Sequence, residues 1–366
     1  LQGRLDHPLQ RTRTKDRIIT FIGQPSFGGG IKFQANFPRR KTVLQECQLD
    51  IDNTIHILPM QAIEDDSLVQ TVEEFGAEMA ATLAPPSLDL RVNPIKTTRD
   101  AVLSGLKDRG LDAEATKLAP QGIRLPERLS LARLPWLKTG EVEIQDEGSQ
   151  LVAALLDAQP GERVVDFCAG AGGKTLAIAS QMNNRGRIVA CDVNEARVKR
   201  CAERLRNAGV HNTEVRVLSS ESDRWVKRHK LGFDRVLIDA PCSGTGTWRR
   251  NPDARWRETG EDGLANLVAL QARILSSAAR LVKPGGRLVY ATCSLLLEEN
   301  EDQVTAFLAA NPAFRLLPLG EAAPELATKV DGDTLSLTPA RHATDGFFAA
   351  VLQREAPVAQ PSGDKA

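Results

Sequence analysis

The stretch "DFCAGAGGKT", residues 166–175, decides the fold. It continues the apolar run "RVVDFCA", opens into a glycine-rich turn, and leads into helix-forming residues from Lys174, so it reads as strand, turn and helix. Glycines let backbone amides approach a ligand, and a helix start favours negative charge. A phosphate loop of the NTPase type needs glycine, four residues, glycine, lysine, then serine or threonine. Counted back from Lys174 and Thr175, the first glycine falls on Cys168, so that pattern fails. A nucleoside site wants a carboxylate closing the next strand, about twenty residues on, to bind ribose hydroxyls. Asp192 stands there, and Asp239 closes a later strand. An adenosine-bearing cofactor is the favoured ligand, and these residues leave NAD and S-adenosylmethionine both open.

Outward from this stretch, strands and helices alternate. "RIVACD" precedes "EARVKRCAERLRNAG", "TEVRVLS" precedes a polar segment, "FDRVLIDAP" precedes a long helix, and "RLVYATCS" precedes "NEDQVTAFLAAN", with "GFFAAVLQR" last. The apolar runs are short, β-branched and bounded by Gly or Pro, as strands buried on both faces are. The expected fold is α/β, a doubly wound Rossmann-like sheet over 141–354 with ligand sites at strand carboxyl ends. In the long helix, Leu264, Leu267, Val268, Ile274, Leu275, Ala278, Leu281 and Val282 share one face and "KPGG" ends it. Upstream, a helix over 67–83, strands in "LDLRVN", "AEATKL" and "GIRLP", and a helix in "TTRDAVLSGLKDRG" make a small α+β unit over 61–140. "KTGEVEIQDEGSQ", 138–150, reads as the linker. Residues 1–60 hold nine Lys or Arg against two acids through Lys41 and are assigned no fold; 355–366 is expected to be a disordered tail.

The 366 residues are 42% hydrophobic and 26% charged, a globular composition with zero formal net charge. A polyanion partner must therefore be met by a local face. No two of the six cysteines lie within four residues of each other, which argues against zinc knuckles and thioredoxin-like motifs. With no signal peptide and no apolar run near bilayer length, a cytoplasmic monomer with reduced thiols is expected. Cys201 shares a helical stripe with Val198, Ala202 and Leu205 and reads as core.

Two thiols are presented alike, Cys242 in "LIDAPCSGTG" and Cys293 in "YATCSLLLEENE". Together with "DFCAGAGGKT" and "RRNPDARWR", these motifs resemble the RNA (cytosine-5)-methyltransferase family, which includes the bacterial small-subunit rRNA enzymes. The likeness runs from Ser67 to Arg354 and is strongest from Gln145 to Val304. It implies S-adenosylmethionine as cofactor, contacted by Cys168, Ala169, Gly170, Ala171, Gly172, Gly173, Lys174, Asp192 and Asp239. It also implies RNA as partner: 16S rRNA first, tRNA second.

C5 of cytosine is too weak a nucleophile to take a methyl group unaided, so a thiolate first adds to C6 and makes C5 enamine-like. The resemblance gives that role to Cys293. It has Cys242 assist product release, Asp239 hydrogen-bond the cytosine edge, and Lys174 help with charge. A thiol is only a few per cent ionised near neutral pH, so a positive local field is expected at Cys293. The chain departs from the family at Ala171, where proline is usual, and at Ser220, where an acid near the adenine is common. Glu221 and Asp223 are the substitutes there.

"TWRRNPDARWR", 247–257, interleaves Trp248 and Trp256 with Arg249, Arg250, Arg255 and Arg257, a composition suited to phosphates and unpaired bases. The α+β unit is then a second RNA-binding surface. Competing readings are a DNA cytosine methyltransferase, which leaves one thiol unexplained, and a non-catalytic RNA-binding ribosome assembly factor, against which the intact Cys293, Cys242, Asp239 and Asp192 speak.

Overall fold

The computed structural model describes residues 10–14, 17–25, 31–36, 43–45, 47–49, 55–57, 66–126, 129–130, 134–256 and 262–356. The first described stretches are short strands: β1 (Gln10–Thr14), β2 (Arg17–Pro25), β3 (Ile31–Asn36), β4 (Val43–Gln45), β5 (Cys47–Leu49) and β6 (Ile55–Ile57). β1 to β4 form one antiparallel sheet and β5 pairs with β6. Of the expected tail, 357–366 lie outside the described residues.

The α+β unit comprises α1 (Asp66–Leu83), β7 (Leu88–Val92), α2 (Arg99–Lys107), β8 (Glu114–Ala115), β9 (Gly122–Leu125), α3 (Trp136–Thr139) and β10 (Val142–Ile144). Its antiparallel sheet has the order β10-β7-β9-β8. α2 starts where the Thr98 hydroxyl accepts the Ala101 N–H. It turns Val102 and Leu106 onto Leu90, Ile123 and Leu125 to form a separate core.

The stretch read as a linker is not one. Val142–Ile144 pair with β7, Val142 opposite Val92, and α4 (Glu147–Ala154) follows at once. Asp89 on β7 accepts the Glu147 N–H at 3.0 Å and holds Arg124 through both carboxylate oxygens. A three-residue run shows no period of its own, and its hydrogen-bond partners come from about fifty residues upstream.

The larger domain continues with β11 (Arg163–Asp166), α5 (Gly173–Gln181), β12 (Arg187–Asp192), α6 (Glu195–Asn207), β13 (Thr213–Val217), α7 (Arg224–Arg228), β14 (Phe233–Asp239), α8 (Gly263–Ala279) and β15 (Val282–Thr292). After these come α9 (Glu301–Ala310), β16 (Phe314–Leu316), α10 (Leu319–Ala322), α11 (Pro324–Ala327), β17 (Leu335–Leu337), α12 (Pro339–His342) and β18 (Phe347–Arg354). The sheet order is β13-β12-β11-β14-β15-β18-β16, with β17 also on β18. The first five strands are parallel and β18 is antiparallel to β15. Strand order reverses between β11 and β14, which opens the crevice where such sheets bind ligands.

Successive residues of each central strand face opposite layers, as the period of two requires. Val164, Leu237, Val289 and Ala291 join α4 and α5 in one core, while Val165, Val236, Ile238, Leu288 and Tyr290 join α8 and α9 in the other. Each buried Leu or Ile contributes about 2 kcal/mol by its removal from water, so both layers hold the central strands in place. The long helix ends earlier than expected. α8 stops at Ala279, and Val282 already pairs with Phe233 as the first residue of β15. Apolar Leu281 and Val282 fit either period, and pairing with β14 decides it.

The α+β unit caps the carboxyl end of α6. Asn93 donates to Gly140 O and Ala208 O, each at 2.9 Å, and the Lys96 ammonium donates to Thr139 O at 2.6 Å and Asn207 O at 2.7 Å. These groups satisfy helix-end carbonyls that have no partner within the helix. Among the described residues, no helix is long and apolar enough to cross a membrane.

Candidate active site

β14 and β15 pair in parallel and, past an irregularity between Phe233 and Arg235, stay in register to their ends, with Asp239 opposite Ala291 and the Ala240 N–H donating to Ala291 O at 2.8 Å. Just beyond, the two strand ends bring Cys242 and Cys293 together with their sulfurs 3.5 Å apart. The loops that carry them are tied to each other. The Gly246 N–H donates to Cys293 O at 3.0 Å, and Ser294 Oγ lies 3.2 Å from both Ser243 Oγ and Thr245 Oγ1. Thr245 Oγ1 accepts the Leu295 N–H at 2.8 Å. β18 closes the loop from behind, where the Gly346 N–H donates to Gly246 O at 2.8 Å.

Lys174, in the first turn of α5, reaches across the crevice and places Nζ 2.7 Å from Asp239 Oδ2. Burial pushes the ammonium down, but Asp239 outweighs it and leaves Lys174 above its ordinary value. The two thiols are driven apart. The hydrogen bond with Cys242 lowers the Cys293 thiol, burial and the Asp239 charge oppose it, and Lys174 offsets part of that opposition. Cys242 is pushed well up by the same hydrogen bond, by burial, by the charge of Cys293 and then by that of Glu299. Cys293 is therefore the more acidic thiol of the pair. The neighbouring thiol is the largest cause of the lowering; Lys174 also lowers Cys293, but the charge of Asp239 outweighs it, so the positive field expected there is not what lowers this thiol.

One outcome follows directly. In Lys174→Met, the pH midpoint for alkylation of Cys293 by iodoacetamide moves upward and the rate at pH 7 falls several-fold. Peptide mass spectrometry reads it, and an unmoved midpoint would remove Lys174 from the account.

The glycine-rich loop bends through Gly170 and Gly172, both at positive φ. A Cβ on Gly172 would lie 2.6 Å from Cys201 Sγ, so Cys201 is core, as read, and forms the floor under the loop. Asp192 accepts the Gly170 N–H at 2.9 Å and the Asn194 N–H at 2.8 Å. Arg204 donates to Ala171 O at 2.7 Å and pairs with Glu143 of β10, which links the loop to the α+β unit. Beneath, the Thr175 hydroxyl donates to Asp166 at 2.6 Å; burial raises that carboxyl to about 7, and its other oxygen has no partner. Burial also pushes Cys168 well above the ordinary thiol value, and it packs against the second core.

Beyond β13, the two carboxylates offered as adenine contacts are engaged elsewhere. Asp223 caps α7 and accepts from Ser219 and Trp225, which brings it down to about 2. Glu221 accepts from Arg273 at 3.0 Å, and Ser220 Oγ lies 3.1 Å from Ser222 Oγ.

The arginine-rich segment divides. Arg249 and Arg250 are not free for phosphate, because both hold Asp345 and Asp146, which are themselves buried. Burial and the neighbouring Asp345 raise Asp146 to about 6. Two carboxylates and two guanidiniums thus fasten the loop after Cys242 to the former linker and to the start of β18. Trp248 is partly exposed. Arg257 lies outside the described residues, as do the side chains of Arg255 and Trp256.

Sequence reading missed this ion cluster and missed Glu299. The cluster joins residues about a hundred positions apart. Glu299 stands among Glu298, Glu301 and Asp302, and nothing local marks the one that turns inward.

The profile of the 16S rRNA methyltransferase RsmB/F family matches residues 153–353. The chain belongs to that family. The ferredoxin-like domain of RsmF/B-like methyltransferases matches residues 71–132, the α+β unit. Ribosomal RNA small subunit methyltransferase B of Sodalis glossinidius is 39% identical over 270 residues, 74% of this chain and 60% of the relative. The protein of the same name from Photorhabdus laumondii is 34% identical over 320 residues, 87% of this chain and 71% of the relative. A solved methyltransferase homologue from Pyrococcus horikoshii matches with a TM-score of 0.64 at 31% identity, over 76% of this chain and 90% of that one. The chain therefore spans about 60% of the length of the Sodalis relative.

Proposed function

We propose that this chain transfers a methyl group from S-adenosylmethionine to C5 of a cytosine in RNA, with 16S rRNA as the substrate. The observation that carries the reading is the thiol pair, 3.5 Å apart at adjacent strand ends beside the Lys174–Asp239 ion pair. One thiol would suffice for a DNA-type reaction. A pair with divergent acidities suits a reaction in which one thiol bonds the base and the other helps to release it.

The residues fit the cofactor. A Cβ on Gly170 would meet nothing within 4 Å, so the turn offers open backbone at the start of α5. Asp192 closes β12 with a carboxylate suited to ribose hydroxyls, and Val193 beside it is an apolar side chain left 63% exposed, a surface for the adenine. When bound, S-adenosylmethionine supplies an electrophilic methyl group.

The chain's own residues prepare the acceptor. Cys293 Sγ, as thiolate, adds to C6 and forms a covalent bond, which places electron density on C5. Asp239 accepts from the cytosine edge and Lys174 balances its charge. Once C5 has taken up the methyl group, loss of the C5 proton to a base restores the ring double bond and breaks the Sγ–C6 bond, with Cys242 assisting release. The base must leave its stack to reach the thiols, at a cost of about a few kcal/mol that is least in single-stranded loops.

The test is incubation of the protein with methyl-labelled S-adenosylmethionine and, separately, unmodified 16S rRNA, tRNA and DNA. Label is expected in 16S rRNA as 5-methylcytosine. Label confined to tRNA would move the substrate, label in DNA would overturn the RNA reading, and no label in any of them would leave the binding-factor reading standing.

A further inference from the structure

The carboxylate of Glu299, in the turn Leu297–Glu299, is fully buried. Oε1 accepts the Ser243 N–H at 2.8 Å and a Gln271 N–H at 2.9 Å, and Oε2 accepts the Ser243 hydroxyl at 2.5 Å. Three donors converge on it, so its hydrogen bonding is that of a carboxylate. Its backbone carbonyl accepts the Tyr290 hydroxyl at 2.7 Å, and the adjoining Asn300 donates to Ser294 O at 2.9 Å. Ser243 belongs to the loop that carries Cys242 and Ser294 to the one that carries Cys293, while Gln271 on α8 and Tyr290 on β15 hold the turn from behind. Sequence pattern gives this residue no role, and the methyl-transfer chemistry does not use it directly.

We propose that Glu299 is a positioning residue: it locks the Cys242 loop against Cys293 through Ser243 and sets a fixed negative charge on Cys242's side of the pair. On the opposite side, Lys174 and Asp239 form an ion pair whose charges oppose each other at Cys293. The charge of Glu299, beside Ser243, makes chemically identical thiols unequal, so that Cys293 gives up its proton more readily than Cys242.

The groups that face the pair from the surrounding elements are Lys174 on α5, Asp239 on β14, Tyr290 on β15 and Glu299. Asp239 is ion-paired with Lys174, and the Tyr290 hydroxyl is neutral, pushed far above its ordinary value by burial. Glu299 is therefore the carboxylate whose charge raises Cys242, while Asp239, partly offset by Lys174, raises Cys293.

The inference rests on the proposed function only for its meaning; the test does not. Reduced full-length protein, without RNA or methyl donor, is treated with iodoacetamide between pH 6 and 10, and initial rates at Cys242 and Cys293 are followed by peptide mass spectrometry. In wild type, Cys293 reacts at least about tenfold faster at pH 7. In Glu299→Gln, which keeps the shape and loses the charge, that ratio falls at least about fivefold as the two pH midpoints converge. Glu299→Asp restores most of it. Equal wild-type rates would overturn the proposal without any variant, as would an unchanged ratio in Glu299→Gln. Failure of the RNA assay alongside a ratio that responds to Glu299 would count against the function and leave the thiol asymmetry standing.

Discussion

Cys293→Ala loses methyl transfer to RNA by at least about a thousandfold, while Cys242→Ala accumulates a protein–RNA adduct that survives denaturant. The asymmetry is the informative part. Removal of the attacking nucleophile takes away the covalent route entirely, and the residual rate reflects binding and positioning alone. Removal of the second thiol leaves Cys293, Lys174 and Asp239 in place, so the bond to C6 still forms and only its breakage is slowed. Gel mobility after denaturation, with methyl-labelled cofactor and RNA, reads both outcomes at once. Near wild-type methylation by Cys293→Ala would reverse the roles of the thiols, and an adduct with neither variant would remove the covalent step.

The second large effect is steric. A Cβ built on Gly246 lies 2.3 Å from Gly346 O and 2.7 Å from Gly346 Cα, both of them backbone atoms that cannot step aside as a side-chain tip would. Gly246→Ala must therefore part the Cys242 loop from β18, break the bond from the Gly346 N–H and pull the thiols from their 3.5 Å spacing. Overpacking of this kind costs about 2–3 kcal/mol, which in a domain of this size lowers the melting temperature by roughly 5–10 °C. Methyl transfer is expected to fall at least about tenfold as well, because a small misplacement of reacting groups is costly. Gly320→Ala, where an added Cβ meets nothing, is the control. Calorimetry and a rate assay on the two variants decide it, and a Gly246→Ala protein that melts like wild type would contradict the close approach.

Much of the architecture was legible because it is local. Each parallel strand is a short β-branched run bounded by turn residues, and each helix shows one apolar stripe, so the alternation that builds a doubly wound sheet appears in the order of the residues themselves. The glycine-rich turn, Asp192 and the two thiol motifs were legible for a related reason, since each lies within a few residues of a strand end. Placing them at carboxyl ends of such a sheet already put them on one rim.

What the linear chain withheld depends on contacts between distant segments. "VEI" became a strand only because β7 lay beside it, and Leu281 and Val282 left the helical pattern only because β14 offered hydrogen bonds. Arg249 and Arg250 looked like phosphate ligands until the fold brought Asp146 and Asp345 beneath them. By itself the sequence placed a pair of thiols, a lysine and two strand-end carboxylates on one rim, and its resemblance to a known family implied the chemistry proposed for them. Only the tertiary structure decided how those groups differ in acidity. That difference is set by the contact between the two sulfurs, by burial and by the charges of Asp239, Lys174 and Glu299 around them, and none of these is a property of any single stretch of the chain.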